Sequence, residues 1–201
     1  MKKSLFIIIA FCLSLGIDNA QNAEQARKIL DKTAAVIGSK SGATAKFQMT
    51  GKYGEASGTI AVKGNKFCAN TGTATVWYDG KTQWTLNKKS DEVNISTPTE
   101  AQQQAMNPYK FINIYKTGFD MTSKTVSGGW QVHLTAQNQK RTIKELYITV
   151  NKSYQPTQVK MRNDKGWTTI TLSAFQKKNL SDGQFRFNSK EHPTAEVIDL
   201  R

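Results

Sequence analysis

The sequence is poor in the residues that build reactive sites. It has only two cysteines and two histidines among 201 residues. His133 and His192 share no metal-ligand spacing with Cys68, so a structural or surface role is favoured over metal ligation. The sequence contains neither a glycine-rich phosphate loop nor a nucleophile elbow. These absences favour binding over catalysis, and we expect no metal and no other cofactor.

The first twenty residues differ from the rest of the chain. Lys2 and Lys3 precede an apolar run from Leu5 to Leu15, and small residues follow at Gly16 and Ala20. This order is typical of a secretory signal peptide, and the run is too short to be a membrane anchor in its own right. We therefore expect residues 1–20 to be removed on export to the periplasm, which leaves one domain over residues 21–201.

The chain is strongly basic, with 28 Lys and Arg against 15 Asp and Glu and a formal net charge of +13. Export and the lack of a clustered arginine tract argue against a nucleic-acid partner. Acidic protein partners, an anionic membrane surface and a generally solvated positive surface remain open. Because Cys68 is the only cysteine after residue 20, the mature chain has no internal disulfide.

Two periodicities follow one another along the chain. Residues 22–37 carry Ala26, Ile29, Leu30, Thr33 and Ile37 at helical spacing, and Gly38 is a natural stop. From Ala43 the period changes to two, as in Ala45, Phe47 and Met49, and short strands recur between turn signals as far as residues 184–187. This pattern predicts an antiparallel meander of about ten or eleven strands. Polar residues 99–104 and the apolar segment 109–115 predict helical structure in the middle of the chain.

A tryptophan-rich hairpin stands out within the meander, at residues 73–87. Two β-prone runs flank Asp79-Gly80, a pair that suits a tight turn because glycine adopts positive φ freely. Val76 and Tyr78 share one face of the first strand, and Trp84 and Leu86 share one face of the second. A hairpin this apolar needs a larger sheet or a ligand to cover it.

Taken in order, these segments resemble the periplasmic lipoprotein carriers of the LolA type and the related outer-membrane acceptor. The resemblance spans nearly the whole mature chain and rests on the order of its landmarks. After the N-terminal helix these are residues 57–60 leading to 62–67, residues 78–82 with Trp84, residues 107–109, residues 143–150, and residues 185–187 with 197–199.

The resemblance implies a mainly β fold with added α-helices. A curved antiparallel sheet forms an incomplete barrel, and helices close it over an apolar cavity for the acyl chains of lipoproteins. It also implies two further partners: an inner-membrane transporter that releases lipoproteins and an outer-membrane acceptor. Family carriers often have an arginine after the strand that here ends at Lys63, and that arginine helps gate the lid. Gly64 stands there instead, so we expect gating to differ.

We predict that one apolar cavity is lined by side chains from five strands and from the mid-chain segment, which would act as a lid. The alternative is that the same side chains fill an ordinary dry core. The residues are Phe47, Met49, Ile60, Val62, Phe67, Val76, Tyr78, Trp84, Leu86, Phe111, Ile112 and Tyr115.

The function implied by the resemblance is a periplasmic carrier that ferries lipoproteins from the inner to the outer membrane. The alternative is a periplasmic sensor or regulatory module that binds lipoproteins or other amphiphiles on the same fold. An exported hydrolase is disfavoured, because neither histidine has a suitable nucleophile as a sequence neighbour.

The mature protein should begin near Gln21, because cleavage after Ala20 follows the order of a basic segment, an apolar run and small residues. N-terminal sequencing of periplasmic material measures this directly. An intact Met1, or a lipid attached to Cys12, would contradict the predicted localisation.

Overall fold

The structure, a computed structural model, describes residues 5–52, 54–100, 102–103 and 107–201. Its helices are α1 (Leu5–Ile37) and α2 (Pro108–Ile112), with short 3-10 turns at Ile114–Lys116 and Asp182–Phe185. The strands are β1 (Ala43–Gly51), β2 (Gly54–Lys63), β3 (Lys66–Thr71), β4 (Ala74–Tyr78), β5 (Gln83–Asn87), β6 (Glu92–Ser96), β7 (Phe119–Val126), β8 (Gly129–Ala136), β9 (Glu145–Asn151), β10 (Pro156–Asn163), β11 (Gly166–Lys177) and β12 (Glu196–Asp199).

The strands form one 12-stranded sheet in the order β12-β6-β5-β4-β3-β2-β1-β11-β10-β9-β8-β7. Two meanders therefore meet where β1 pairs with β11, and β12 alone pairs in parallel, with β6. The predicted mainly β fold with a largely antiparallel sheet is confirmed. The sheet is open and not closed into a barrel, and the strand number exceeds the expected ten or eleven.

Two segments differ from the sequence prediction. Strand β7 was not predicted, although it pairs with β8 along its whole length. The prediction of a strand at residues 184–187 is wrong. The backbone there closes a turn in which the N–H groups of Gln184 and Arg186 donate to the carbonyls of Ser181 and Gly183. This turn puts Phe185 in a fully buried position, which explains its apolar character without a strand.

Helix α1 confirms the predicted apolar stripe. Ala26, Ile29, Leu30, Thr33 and Ile37 are all buried, and α1 packs on β7 and β8. The helix ends as predicted at Gly38, whose N–H donates to the carbonyl of Ala34. Within the predicted signal peptide, residues 1–4 lie outside the described residues and 5–20 form the first part of α1. None of the described helices is long and apolar enough to cross a membrane.

The polar helical segment predicted at residues 99–104 begins with a capping box. The Thr99 N–H donates to Oε1 of Gln102 at 2.8 Å, and the Gln102 N–H donates to Oγ1 of Thr99 at 3.4 Å. These reciprocal bonds satisfy amides that a helix start leaves open. Glu100, Gln102 and Gln103 are helical, whereas Ala101 and Gln104 lie outside the described residues.

Strand β7 forms one edge of the sheet, and α1 covers it. The Ser123 N–H donates to Oδ1 of Asn22 at 2.6 Å, and the Ser123 hydroxyl is 3.2 Å from the same oxygen. A free backbone amide on an edge strand is a template for pairing with another chain. The helix therefore occupies a hydrogen-bonding position that would otherwise face solvent.

A bulge on β11 keeps two large side chains on the same face. The β1–β11 register shifts between Thr44 and Lys46, and Ala174 adopts a left-handed φ of 51°. Side chains alternate between faces along a regular strand, and one extra residue resets that alternation. Leu172 and Phe175 therefore contact the same apolar pocket although three positions separate them.

The C-terminal segment packs on the face of the sheet opposite α1. Trp77 on β4 lies edge-on to Phe187 at 5.7 Å and to His192 at 5.8 Å between ring centroids. Ion pairs hold the same segment to the strand ends: Lys63 and Lys66 contact Asp182, and Arg186 contacts Asp79. We call the face that bears α1 the inner face and the opposite one the outer face.

Replacing Leu30 by alanine should lower the free energy of unfolding by about 2–5 kcal/mol, because Leu30 is fully buried against the sheet. Gln25→Ala, at an exposed position of the same helix, should change it by less than about 0.5 kcal/mol. Denaturant unfolding of both variants measures the difference. Equal effects would show that α1 does not pack on the sheet in solution.

Candidate functional site

The strand register decides which predicted cavity residues share a face. Ala45 pairs with Ile60, Ile60 with Ala69, and Ala69 with Val76. Residues directly opposite in an antiparallel pair lie on the same face. This row places seven predicted residues on the inner face: Phe47, Met49, Ile60, Val62, Phe67, Val76 and Tyr78.

The predicted hairpin is confirmed, but its register places the remaining two strand residues elsewhere. The turn spans four residues, Asp79–Thr82. Oδ1 of Asp79 accepts the N–H of Lys81 at 3.0 Å and of Thr82 at 2.9 Å. Trp84 consequently pairs with Trp77, so Trp84 and Leu86 lie on the outer face. They do not join Val76 and Tyr78 in one cavity wall.

The mid-chain segment lies over the inner face, as expected. Ile112 and Tyr115 are buried in the same apolar cluster as α1 and the inner-face residues, and Phe111 packs against that cluster while partly exposed. Ten of the twelve predicted residues thus lie on or over the inner face, and eight of them are in the buried cluster or packed against it, whereas Phe47 and Met49 lie outside that cluster.

Side-chain hydrogen bonds connect both ends of this segment to the rest of the fold. The Tyr115 hydroxyl donates a short hydrogen bond to Oδ1 of Asp31 on α1. Burial, together with that bond and the nearby charge of Asp31, raises the pKa of Tyr115 well above its usual range. At the other end, the buried Asn107 side chain donates to the backbone carbonyl of Asn65, in the β2–β3 turn, at 2.7 Å.

Part of the inner face was missing from the sequence prediction. Leu172 pairs with Phe47, Ile170 pairs with Met49, and Val159 pairs with Ile170. Phe47, Met49, Ile170 and Leu172 are each partly exposed. The alternation of Ile170 and Leu172 within β11 was the available signal, but the register to β1 is needed to show that they extend the same surface. We call these four residues the apolar strip.

A small apolar pocket lies beside this strip, next to the C-terminal end of α1. Its volume is about 60 Å³. Small-molecule sites usually measure about 300–1,000 Å³, so an acyl chain enters this pocket only if it enlarges. The pocket is lined by Ile37, Ala43, Thr44, Ala45, Ile60, Val62, Pro156, Leu172 and Phe175.

Gly64 now has a structural explanation. It lies in the β2–β3 turn with a φ of 57°, a left-handed conformation that is strained for a side-chain-bearing residue. An arginine would fit poorly here. The neighbouring Lys63 turns instead to the C-terminal segment, with Nζ 2.8 Å from the carbonyl of Leu180.

Apart from the outer-face group around Glu145, the described side chains that could carry chemistry lie apart from one another. Among the described residues, no three His, Cys, Asp or Glu side chains are grouped as a metal site would require. His133 lies 2.9 Å from Glu145 on the outer face, and His192 stacks against Phe187. Cys68 is free and half-buried, and burial raises the pKa of its thiol to about 11, so it remains protonated at neutral pH.

Comparison with known proteins identifies the family. The model of the outer membrane lipoprotein carrier protein LolA matches residues 17–165. The chain belongs to the LolA family. No curated protein matches the sequence.

Solved structures are similar to this chain at low sequence identity, and the first of the two below shares its fold. An uncharacterised conserved protein from Thermus thermophilus is 14% identical, with a TM-score of 0.60 over 87% of this chain and 99% of the other. A putative outer membrane lipoprotein-sorting protein domain from Vibrio parahaemolyticus is 11% identical, with a TM-score of 0.48 over 85% of this chain and 99% of that one.

Tyr115→Phe should lower the free energy of unfolding at pH 7 by about 1–2 kcal/mol, because it removes the hydrogen bond to Asp31. Since the folded state raises the pKa of Tyr115, the wild type gains this stability below the unfolded tyrosine pKa of about 10 and loses it as the pH rises further. The difference between wild type and variant should therefore shrink above pH 10.

Denaturant titrations across this pH range measure the effect. Tyr154→Phe is the matched control, because the Tyr154 hydroxyl accepts a hydrogen bond from the exposed Lys32. Its loss should cost less than about 1 kcal/mol. A pH-independent difference for Tyr115→Phe would contradict the assignment.

Proposed function

We propose that the chain is a periplasmic carrier that binds the acyl chains of lipoproteins on its inner face and ferries them from the inner to the outer membrane. The observation that carries this proposal is the apolar strip, four apolar side chains that remain partly exposed on the same face as the buried core. Membership of a family named for outer membrane lipoprotein carriage supports it.

The chemistry of the strip fits an acyl chain. Its side chains are aliphatic, aromatic and thioether groups without charge. Each buried methylene contributes about 0.8 kcal/mol, so a chain of about fifteen methylenes gains roughly 12 kcal/mol before any opposing cost. Ordering of side chains and of the covering segment lowers this value considerably. Binding of intermediate strength suits a carrier, which has to release its cargo.

The pocket beside the strip is too small for an acyl chain, and its lining contains no residue of the segment from Asn107 to Tyr115. In this proposal that segment moves and uncovers further inner-face side chains of the apolar cluster in which it is buried. Its contacts include a hydrogen bond with Asn65 at one end and one with Asp31 at the other, each contributing about 0.5–3 kcal/mol net. Moving the segment also exposes the buried side chains of Ile112 and Tyr115, at about 1.5–3 kcal/mol each. An entering acyl chain that replaces their apolar contacts offsets this cost.

The proposal implies three partners. Lipid-modified proteins supply the acyl chains, an inner-membrane lipoprotein-releasing transporter loads them, and an outer-membrane acceptor receives them.

Many carriers have an arginine that helps gate the lid at the position of Gly64. In this chain, the charged groups beside the same β2–β3 turn are Lys63 and Lys66, which form ion pairs with Asp182.

Phe47→Ala should weaken the binding of a fluorescent fatty acid about tenfold, because it removes a large apolar surface from the strip. Trp84→Ala is the matched control: it also deletes a half-buried aromatic ring, but on the outer face, and should leave the affinity within about twofold. Fluorescence titration and thermal unfolding of the same samples separate binding from stability.

Equal losses in the two variants, or no binding by the wild type, would overturn the inner-face site. Transfer of a lipid-modified protein from this chain to acceptor membranes then tests carriage itself. Binding without transfer would indicate a sensor on the same fold.

A further inference from the structure

Trp167 is an exposed aromatic residue on the outer face, away from the proposed acyl site. The exposed large apolar side chains among the described residues are Trp167, Val197 and Leu200, and Trp167 is the aromatic one. It follows Gly166 at the start of β11, next to the tip of the β10–β11 hairpin. Its side chain is 41% exposed.

Two cationic side chains of β10 lie beside this ring. Nζ of Lys160 lies 5.4 Å from the ring centroid of Trp167, and the guanidinium carbon of Arg162 lies 5.9 Å from it. The ring centroid of Tyr147, on β9 beyond β10, lies 5.9 Å from that of Trp167, and Tyr147 stacks on His133. Trp167 is therefore part of an aromatic and basic surface that spans several strands.

Glu145 fixes the basic part of this surface. Its Oε2 accepts from Nε and Nη2 of Arg162, both at 2.9 Å, and its Oε1 contacts Tyr147 and His133. Burial opposes ionisation of Glu145, but the hydrogen bonds from Tyr147, Arg162 and His133 outweigh it and hold its pKa below the ordinary value. Glu145 thus holds the Arg162 guanidinium beside the indole, and no bound ligand is needed to position it.

The loops at the same end of the sheet add to the positive charge. The pairings of Arg162 with Glu145 and of Gly51 with Thr168 bring the loop 137–144, the hairpin tip 164–165 and Lys52 to this end. The carboxylate at the tip, Asp164, is already paired with Lys144 at 3.1 Å. The cations of these loops and of β10 beside Trp167 are Lys52, Lys140, Arg141, Lys144, Lys160, Arg162 and Lys165. Of these, Arg162 is paired with Glu145, Lys144 is paired with Asp164, and Arg141 packs on the ring of Phe119 on the inner face. We call this end of the molecule, centred on Trp167, the basic end.

We propose that the basic end docks on an anionic membrane surface, with the Trp167 indole at the headgroup level and the exposed lysines Lys52, Lys140, Lys160 and Lys165 on lipid phosphates. Tryptophan favours the membrane interface because its ring is apolar and its N–H is polar. Basic side chains near an anionic leaflet strengthen binding, each by about fivefold. A soluble acidic polymer would use the charges equally well but would have no use for an exposed indole beside a hairpin tip.

This docking surface is separate from the acyl site but close to it. Ile170 of the apolar strip lies three residues along β11 from Trp167, with its side chain on the opposite face. Docking would bring that end of the strip near the bilayer. The inference does not depend on acyl binding, since the empty protein can be tested.

The test is sedimentation of the protein with vesicles of phosphatidylcholine containing phosphatidylglycerol, compared with vesicles of phosphatidylcholine alone. The wild type should bind the anionic vesicles at least tenfold more tightly, and salt should weaken the binding. Trp167→Ala should weaken it about tenfold. Leu200→Ala, which removes an exposed apolar side chain elsewhere, is the matched control and should bind like the wild type.

A charge variant and a spectroscopic readout make the test independent of any single substitution. Lys160→Gln with Lys165→Gln should weaken binding about 25-fold, taking about fivefold for each charge, whereas Lys177→Gln with Lys178→Gln, two exposed lysines at the far end of β11, should change it little. The tryptophan emission of the wild type should shift to shorter wavelength on vesicles, and Trp167→Phe should abolish the shift.

Three results would overturn the proposal: equal binding of Trp167→Ala and the wild type, an emission shift that persists in Trp167→Phe, or equal affinity for soluble polyglutamate and for anionic vesicles. The last result would assign the basic end to acidic polypeptides. None of them bears on fatty-acid binding, which is measured without membranes.

Discussion

The inner face of the sheet is wider than any single helix can cover, and the remaining architecture follows from this mismatch. Twelve strands spaced about 4.8 Å apart measure roughly 50 Å across the sheet, whereas α1 from Asn22 to Ile37, at 1.5 Å per residue, is about 24 Å long. This part of α1 extends from Ser123 on β7 to the pocket beside β1 and β2, which Ile37 lines. The segment from Asn107 to Tyr115 adds further cover, and Phe47 and Met49 stay partly exposed. An apolar surface of this kind is what a lipid-binding protein has to keep available.

The two faces of the same strands are stabilised in different ways. Inner-face contacts near the strip are apolar and nondirectional, so they tolerate rearrangement around a ligand. On the outer face, Glu145 alone connects Arg162, Tyr147 and His133 by hydrogen bonds of 2.9 Å. Directional bonds of that type fix side-chain positions. The outer-face side chains around Glu145 are therefore fixed more firmly than the partly exposed side chains of the apolar strip.

Sequence periodicity predicted the helix and most strands because each residue pattern there is local. The stripe from Ala26 to Ile37 specifies α1 without reference to the rest of the chain. Strand β7 was missed because its apolar alternation stops at Ser123, whose partner Asn22 is far away in sequence. The sequence predicts a strand at residues 184–187 because Phe185 and Phe187 are two positions apart, as apolar residues are in a strand. In the structure Phe185 is instead buried by a turn, and local spacing does not distinguish the two cases.

The candidate site depended on register, which local patterns do not contain. The sequence prediction places Trp84 and Tyr78 in one cavity because each lies on the apolar face of its own strand. The turn between β4 and β5, however, contains an even number of residues. Even-numbered residues of β5 therefore pair with odd-numbered residues of β4, as Trp84 does with Trp77. The side chain of Asp79, which binds two turn amides, sets that number. The family resemblance supplied the architecture, and the pairing of β1 with β11 then showed which side chains extend the inner face.

The pairing of β1 with β11 and of β6 with β12 also sets the order of events in biosynthesis. Strand β1 is made early and stays without its second neighbour until residues 166–177 have been synthesised, and β6 waits for residues 196–199. A nascent chain that lacks its last strands therefore cannot complete the sheet, because such distant contacts form only after the intervening chain is present. Completion of the sheet therefore waits until residues 166–177 and 196–199 have been synthesised.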